Sequence, residues 1–172
     1  MPPSLNSNLC SRDVQPCQLQ IASVSHRQLN KEPEVSDLPS AADLLRHSLD
    51  LFLAKDMKAW SLLCADDVVA EFPFAPEGSP KRLEGRAALY EYLRDYPNVI
   101  DIRSIPQLRI YPTNDPNVAI AEWSSSGEVL TNGNAYEMRY ATFVTFRDWL
   151  IVSYREYWDP LAFKQAMGGA QF

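Results

Sequence analysis

The sequence predicts an α+β domain in which several helices come first and pack on one face of an antiparallel sheet. Two observations favour this class. Apolar residues recur at helical spacing between residues 40 and 96, whereas from Ile105 onward they alternate with polar residues as in strands. The later segments are joined by short turn sequences such as Asn132-Gly133, which is typical of a hairpin between neighbouring strands.

Three helices are expected in the first half of the chain. Ser40 followed by Asp43 has the pattern of a helix N-cap, and Asp56 has the pattern of a second one. The first helix carries apolar residues at Leu45, Leu49, Phe52 and Leu53. The second carries Met57, Trp60, Leu63 and Cys64. A third helix is predicted over 86–96, and Pro97 ends it.

Strands are predicted from β-branched and aromatic residues. One covers 68–74, between the second and third helices. Four more are predicted over 108–111, 118–130, 135–147 and 150–158. Because short hairpins join the later strands, the sheet is expected to be antiparallel.

The composition changes near residue 40. Residues 1–39 hold five of the thirteen prolines and no aromatic residue, since every Phe, Trp and Tyr lies at or after Phe52. Such a segment buries too little apolar area to offset its loss of conformational entropy on folding. We therefore expect a disordered N-terminal extension over 1–39 and one domain over 40–172.

Charge and rare residues argue against several function classes. A formal charge of −6 without a Lys/Arg cluster disfavours nucleic acid and anionic membranes as partners. No apolar run reaches the ~18–20 residues that a transmembrane helix needs. Two histidines, and three cysteines without a Cys-x-x-Cys pair, do not predict a metal site, and the glycines form no nucleotide-binding motif. We expect a cytoplasmic protein without cofactor or metal.

Three short motifs follow this order of elements: Ala65-Asp66-Asp67-Val68-Val69, Leu83-Glu84-Gly85-Arg86 and Tyr154-Arg155-Glu156-Tyr157-Trp158-Asp159-Pro160. Together they resemble the nuclear-transport-factor-2-like superfamily, also called SnoaL-like or ketosteroid-isomerase-like, over about 42–168. The second half is most similar to the phenazine-biosynthesis A/B branch. The resemblance implies a cone-shaped, curved antiparallel sheet wrapped around the N-terminal helices, with a cavity open at one end. Members include isomerases, polyketide cyclases, dehydratases and non-catalytic binding domains.

The resemblance also implies roles for particular positions. The three catalytic positions of ketosteroid isomerase are occupied here by Phe72, Ser48 and Thr142, so that apparatus is not expected. Trp158 matches an aromatic residue that lines the cavity of that enzyme. In the phenazine-type comparison, Glu156 matches an acidic residue of the last strand, and Tyr92 stands where that branch has a histidine.

Strand alternation places Glu156 on one face with Tyr154, Trp158, Val152 and Leu150. A carboxylate there either reaches solvent at an edge or is a pocket acid with a raised pKa, and with the resemblance we favour the pocket acid.

For the other candidate residues, both a structural role and a role in the cavity remain open. Tyr140 and Thr142 are either hydrogen-bonding groups of the cavity or packing residues, and Phe72 and Phe74 are either core or cavity wall. His47 is either a structural residue of the first helix or a polar group of the pocket.

We expect a cofactor-independent acid/base enzyme, an isomerase, cyclase or dehydratase, acting on a hydrophobic cyclic intermediate of secondary metabolism. The alternative is a non-catalytic small-molecule-binding or dimerising domain. The expected catalytic residues are Glu156 and His47. The expected substrate-binding residues are Phe72, Phe74, Tyr92, Tyr140, Thr142, Tyr154 and Trp158. An outer sheet face with Trp149, Ile151, Tyr157 and Trp123 predicts an isologous homodimer. Trp123 and Trp149 are also compatible with the core or with the lining of the cavity.

Overall fold

The computed structural model describes residues 38–169. Its elements are α1 (Ala41–Leu53), α2 (Met57–Leu62), β1 (Cys64–Glu71), β2 (Arg82–Glu84), α3 (Arg86–Leu93), a 3₁₀ turn (Tyr96–Asn98), β3 (Ile100–Pro112), β4 (Val118–Val129), β5 (Ala135–Arg147), β6 (Leu150–Trp158) and α4 (Pro160–Ala166). The fold is α+β, as predicted. Apart from Leu38 and Pro39, which are exposed, the predicted N-terminal extension lies outside the described residues.

The six strands form one sheet in the order β2-β1-β6-β5-β4-β3. Four of the five neighbouring pairs are antiparallel, as expected. The pair of β1 with β6 is parallel, so the expectation is wrong at this position. The hairpin argument did not apply to it, because these two strands are joined through the whole intervening chain and not by a turn.

The predicted helix starts are confirmed by their caps. The Ser40 hydroxyl accepts a hydrogen bond from the Asp43 amide at 3.2 Å, and the Asp43 carboxylate accepts one from the Ser40 amide at 3.0 Å. Asp56 caps α2 by accepting from the Ala59 amide at 2.8 Å. The third helix is shorter than predicted, because Pro97 disfavours a helical conformation before it and a 3₁₀ turn replaces the last residues.

Strand pairing in the fold changes the bounds of β1 and β3 and adds a short strand, β2. β1 covers Cys64–Glu71 and not 68–74, because its first residues hydrogen-bond to the start of β6, where the Ile151 amide donates to the Leu63 carbonyl at 2.8 Å. β3 begins eight residues earlier than predicted, at Ile100, because it pairs with β4 along most of its length. The short strand β2 was not predicted at all.

A β-bulge in β6 reverses the side-chain direction near its start. Thr145 pairs with Ser153 and Phe146 pairs with Ile151, so β6 has one residue more than β5 at this point. Ile151 is therefore fully buried, and its predicted place on the outer face is wrong. Trp123 is also buried, on the inner side of β4, so it does not belong to the outer face either.

The core lies between α1 and the concave face of the sheet. Leu45 and Leu49 of α1 are buried against β3, β4 and β5, and α3 packs against β1 through Leu89. Burial of each such side chain contributes ~1.5–3 kcal/mol to the free energy of folding. None of the helices within residues 38–169 is long and apolar enough to cross a membrane.

The convex face carries a cluster of three aromatic side chains, the outer aromatic patch, made of Phe74, Phe143 and Tyr157. Phe74 is 56% exposed and Phe143 is 40% exposed. Their rings lie 5.3 Å and 5.9 Å from the ring of Tyr157. Charged residues of both signs, Glu122 and Arg139, share this face. Monomers rarely expose such a patch, and the mixed charges suit a second copy of the same surface.

We expect an isologous homodimer through the outer aromatic patch. Replacement of Phe143 by Asp (Phe143→Asp) places a charge at the centre of that interface, and it is expected to convert the dimeric mass to a monomeric one in light scattering. Leu62→Asp is the control, since Leu62 is also exposed but lies at the end of α2. A monomeric mass of the unmodified protein at micromolar concentration would contradict the prediction.

Candidate functional site

A cavity of about 340 Å³ opens between the helices and the concave face of the sheet. Its lining is dominated by aromatic and aliphatic side chains from α1, α3, the strands and α4. The lining residues include Leu49, Phe52, Trp60, Phe72, Leu89, Tyr92, Tyr96, Trp123, Tyr136, Tyr140, Tyr154, Glu156, Trp158, Phe163 and Met167. Asp95, which also borders the cavity, is exposed and paired with Arg94. Glu156 is therefore the carboxyl group that lies within the aromatic wall.

The structure brings most of the predicted site residues together. The residues that line the cavity are Phe72, Tyr92, Tyr140, Tyr154, Glu156 and Trp158. Thr142 is fully buried and contacts the Glu156 carboxylate. Two predicted residues, His47 and Phe74, lie elsewhere.

His47 is exposed on α1 and does not line the cavity. The inward positions of this helix are Leu45, Ser48 and Leu49, and consecutive helical residues point about 100° apart. Ser48, the next residue, therefore faces the interior, and His47 does not. Ser48 is buried there and donates a hydrogen bond to the Leu45 carbonyl at 2.7 Å.

Phe74 belongs to the outer aromatic patch and not to the cavity. Because β1 ends at Glu71, strand alternation does not extend to Phe72 and Phe74, which the sequence had placed on one face. Phe72 is buried, with its ring 5.6 Å from the rings of both Tyr92 and Trp158.

The Glu156 carboxylate is held by two hydroxyl donors. The register of β5 and β6 places Thr142 opposite Glu156. The Thr142 hydroxyl donates to Glu156 Oε2 at 3.1 Å, and the Tyr154 hydroxyl donates to the same oxygen at 2.5 Å. Trp123 Nε1 donates in turn to Thr142 Oγ1 at 2.9 Å, which orients the threonine. No hydrogen bond from residues 38–169 reaches Oε1, so this oxygen is available to a ligand.

Burial raises the pKa of Glu156 from 4.5 to about 7, while the hydrogen bonds from Tyr154 and Thr142 lower it in part. Among the described residues, no Lys, Arg or His side chain lines the cavity to favour the carboxylate form. A carboxyl group in this state holds and releases its proton near neutral pH, which suits it to general acid/base chemistry.

The cavity tyrosines remain neutral. Burial raises the pKa of Tyr96, Tyr140 and Tyr154 well above the usual value of 10, and it also raises the pKa of Tyr92 and Tyr136. The negative charge of Glu156 acts in the same direction on all five. Their hydroxyl groups are therefore hydrogen-bond donors and not bases at ordinary pH.

Sequence reasoning missed two hydroxyl groups of the site, those of Tyr96 and Tyr136. Tyr136 shares the inward side of β5 with Tyr140 and Thr142, so strand alternation held a signal for it. Tyr96 lies in the 3₁₀ turn after α3, where no periodicity indicates a direction. Trp123 lines the cavity and stacks on Tyr140, with ring centroids 4.0 Å apart.

No group of three or more His, Cys, Asp or Glu side chains within residues 38–169 is arranged to hold a metal ion. Within that part of the chain, the polar groups of the cavity wall include the Glu156 carboxyl and several hydroxyls, and the exposed Asp95 lies at the border.

Comparison with known proteins agrees with this architecture. The profile of the SnoaL-like domain family matches residues 45–154. The Bacillus subtilis protein YesE is 43% identical over 136 residues, covering 79% of this chain and 92% of that protein. A PhzA/B-like protein of Pseudomonas aeruginosa is 33% identical over 132 residues, covering 77% and 93%. The predicted likeness to the superfamily and to its phenazine A/B branch is confirmed.

A solved structure is also similar at the sequence level. The crystal structure of a candidate isomerase from Bacillus subtilis has a TM-score of 0.72 and 45% sequence identity, covering 76% of this chain and 94% of that one. The helices and the sheet described above thus belong to a shared fold.

The raised pKa of Glu156 predicts a pH-dependent change in stability. Between about pH 4.5 and 7 the folded protein binds a proton at Glu156 that the unfolded chain has released, so stability falls as the pH rises through this window. Glu156→Gln removes this loss and keeps an acceptor for both hydroxyls. We expect the variant to gain up to ~3 kcal/mol over the unmodified protein at pH 8 and little at pH 5, measured by urea unfolding. A gain of equal size at both pH values would contradict it.

A second prediction concerns the hydrogen bond from Tyr154. Because this bond lowers the pKa of Glu156, Tyr154→Phe is expected to raise that pKa by about one pH unit. The measurement is the ¹³C chemical shift of labelled glutamate carboxyls as a function of pH. Tyr111→Phe is the matched control, since Tyr111 donates to Glu122 outside the cavity and its loss leaves Glu156 untouched. An unchanged or lowered pKa in Tyr154→Phe would argue against the assigned bond.

Proposed function

The chain belongs to the SnoaL-like domain family, and we propose that it is an acid/base enzyme that moves a proton on an apolar, ring-containing small molecule. The reaction class is isomerisation, cyclisation or dehydration, with Glu156 as the proton-transferring group. One observation carries the proposal: a carboxyl group with a pKa of about 7 lies in an aromatic cavity.

Each part of the cavity has a role in this chemistry. The aromatic wall binds a flat apolar ligand by burying its surface and excludes water from the reacting atoms. Tyr154 and Thr142 fix the orientation of the carboxyl group by holding Oε2. In its ionised form Glu156 removes a proton from the ligand, and in its protonated form it returns one. A positioned acid/base group of this kind contributes about 10²–10⁴-fold to the rate.

The character of the cavity limits the substrate. No cationic side chain among the described residues lines it, so an anionic ligand has no charge partner there. The volume of about 340 Å³ suits a compact molecule of a few rings. The similar candidate isomerase from Bacillus subtilis, with 45% sequence identity to this chain, supports isomerisation among these reactions.

The second candidate is a non-catalytic binding domain of the same fold. Its support is that the cavity tyrosines are held neutral, so Glu156 alone must both remove and return the proton. A binding domain would use the same aromatic wall and would need no titrating group.

The experiment follows hydrogen exchange on a ring compound with an acidic C–H group. The protein is incubated with 2-tetralone in D₂O, and deuterium incorporation is measured by mass spectrometry. We expect exchange above the buffer rate, with a rise in rate centred near pH 7, and a loss of about 10²-fold in Glu156→Gln.

Glu137→Gln is the control, because Glu137 is an exposed carboxylate that bonds to Ser126 outside the cavity. This variant is expected to exchange as fast as the unmodified protein. Binding of the ring compound with no exchange above buffer would favour the non-catalytic domain. Equal exchange by Glu156→Gln and the unmodified protein would remove Glu156 from the mechanism.

A further inference from the structure

The Thr142 hydroxyl connects an indole N–H group to the carboxyl group of the cavity. Trp123 Nε1 donates to Thr142 Oγ1 at 2.9 Å, and Thr142 Oγ1 donates to Glu156 Oε2 at 3.1 Å. Both bonds are shielded from solvent, since Thr142 is fully buried and Trp123 is 4% exposed. We call these two consecutive hydrogen bonds the Trp123–Thr142 relay.

The indole end sets the direction of the relay. An indole N–H has no lone pair and can only donate, whereas a threonine hydroxyl has one proton and two acceptor positions. Trp123 occupies one acceptor position of Thr142, so the threonine proton is available to the carboxyl group on the other side. Donation to Oγ1 also polarises the O–H bond, which makes the hydroxyl a stronger donor.

The position of Trp123 is itself fixed by its neighbours. Its ring stacks on Tyr140 with centroids 4.0 Å apart and an interplanar angle of 14°, and the ring of Phe52 meets it edge-on at 6.1 Å. Strand register adds to this, because Trp123 lies opposite Tyr140. On the next pair of strands Thr142 lies opposite Glu156. The relay therefore crosses three neighbouring strands, from β4 through β5 to β6.

The two oxygens of the Glu156 carboxyl group have different surroundings. Oε2 accepts from Thr142 and also from the Tyr154 hydroxyl, at 2.5 Å. A carboxyl proton on Oε2 would point towards hydroxyls that already direct their own protons at this atom. No hydrogen bond from the described part of the chain reaches Oε1. The proton that Glu156 binds is therefore favoured on Oε1.

We propose that Trp123 is a positioning residue of the site: acting through Thr142, it keeps Oε2 as a hydrogen-bond acceptor, so that Glu156 binds and releases its proton at Oε1 alone. The use of that proton rests on the proposed function, whereas the relay is a property of the protein without a ligand. One oxygen thus anchors the carboxyl group, and the other presents the proton in a single direction.

The other titratable groups around Glu156 do not change charge while it titrates. They are five tyrosines from α3, the 3₁₀ turn, β5 and β6: Tyr92, Tyr96, Tyr136, Tyr140 and Tyr154. Burial raises the pKa of each above its usual value. The Cys64 thiol of β1, which acts on Tyr154, has a pKa raised by burial to about 12. A change in the pKa of Glu156 therefore reports on its hydrogen bonds and its burial.

The first test locates the proton by infrared difference spectroscopy of the full-length protein near pH 5, with Glu156→Gln subtracted. If the proton is on Oε1, the C=O bond ends at Oε2 and accepts hydrogen bonds from Tyr154 and Thr142. Its stretching band is then expected at the low frequency of a doubly hydrogen-bonded acid, and Thr142→Val is expected to raise that frequency. A band at the frequency of an unbonded acid in the unmodified protein would overturn the proposal, whatever the relay variants do.

The second test is a double-variant cycle on the pKa of Glu156, measured by the ¹³C shift of labelled glutamate carboxyls. Thr142→Val is expected to raise the pKa by about one pH unit, because the ionised form loses a donor. Trp123→Phe has two effects of opposite sign. Loss of the relay raises the pKa, whereas water that enters the vacated space stabilises the carboxylate and lowers it.

The cycle separates these effects, because packing is lost in both backgrounds but the relay needs the Thr142 hydroxyl. The change caused by Trp123→Phe is therefore expected to be more positive by about half a pH unit with Thr142 present than in the Thr142→Val background. Equal changes in the two backgrounds would show that Trp123 acts by packing alone, which contradicts the proposal.

Two controls test whether the hydroxyl itself is responsible. Thr142→Ser keeps the hydroxyl group, and it is expected to leave the band frequency and the pKa close to those of the unmodified protein. Thr145→Val removes a β5 hydroxyl that does not line the cavity, and it is expected to change neither. A pKa that rises as much in Thr142→Ser as in Thr142→Val would count against the relay.

The relay and the proposed function fail in different ways. Both readouts are taken without a ligand, so they do not depend on deuterium exchange into 2-tetralone. If Glu156 is the proton-transferring group, the pH midpoint of that exchange is expected to move with its pKa in Thr142→Val. Absence of exchange above the buffer rate, together with the expected band and the expected cycle, would overturn the proposed function and leave the relay standing.

Discussion

The antiparallel pairing of β5 with β6 is the constraint on which the rest of the site depends. Its register places Thr142 opposite Glu156 and Tyr140 opposite Trp158. One strand pair thus brings the Glu156 carboxyl, the Thr142 hydroxyl and the aromatic side chains of Tyr140 and Trp158 to the concave face. Because side chains alternate along a strand, the same register sends Phe143 and Tyr157 to the convex face, where they form the outer aromatic patch.

The buried carboxyl of Glu156 opposes folding, and the same burial is the source of its chemistry. An ionised carboxylate without a cation in a water-poor cavity is unfavourable, so the group keeps its proton to a higher pH. Elsewhere the chain pairs its carboxylates with arginines, as in the contacts of Glu71 with Arg82 and Arg155. There the arginines hold the pKa of Glu71 below its usual value. The contrast lies in the surroundings of the two glutamates and not in their chemical type.

The cavity has two polar regions separated by aromatic wall. Glu156 with its two hydroxyl donors is one, and the hydroxyl cluster of Tyr96, Tyr136, Tyr140 and Ser125 is the other. The first exchanges a proton near neutral pH, while the second only donates hydrogen bonds because burial keeps its tyrosines neutral.

The sequence by itself determined the fold class, the caps at Ser40 and Asp56, the bounds of β5 and β6, and the shared face of Tyr154, Glu156 and Trp158, because each follows from local propensity or from alternation within one strand. Only the tertiary structure decided the parallel pairing of β1 with β6, the bulge that buries Ile151 and the exposed position of Phe74. These depend on which strands meet and where pairing ends. The hydroxyl cluster likewise needed the fold, since Tyr96 and Tyr140 come from a turn and a strand that only the curved sheet brings together.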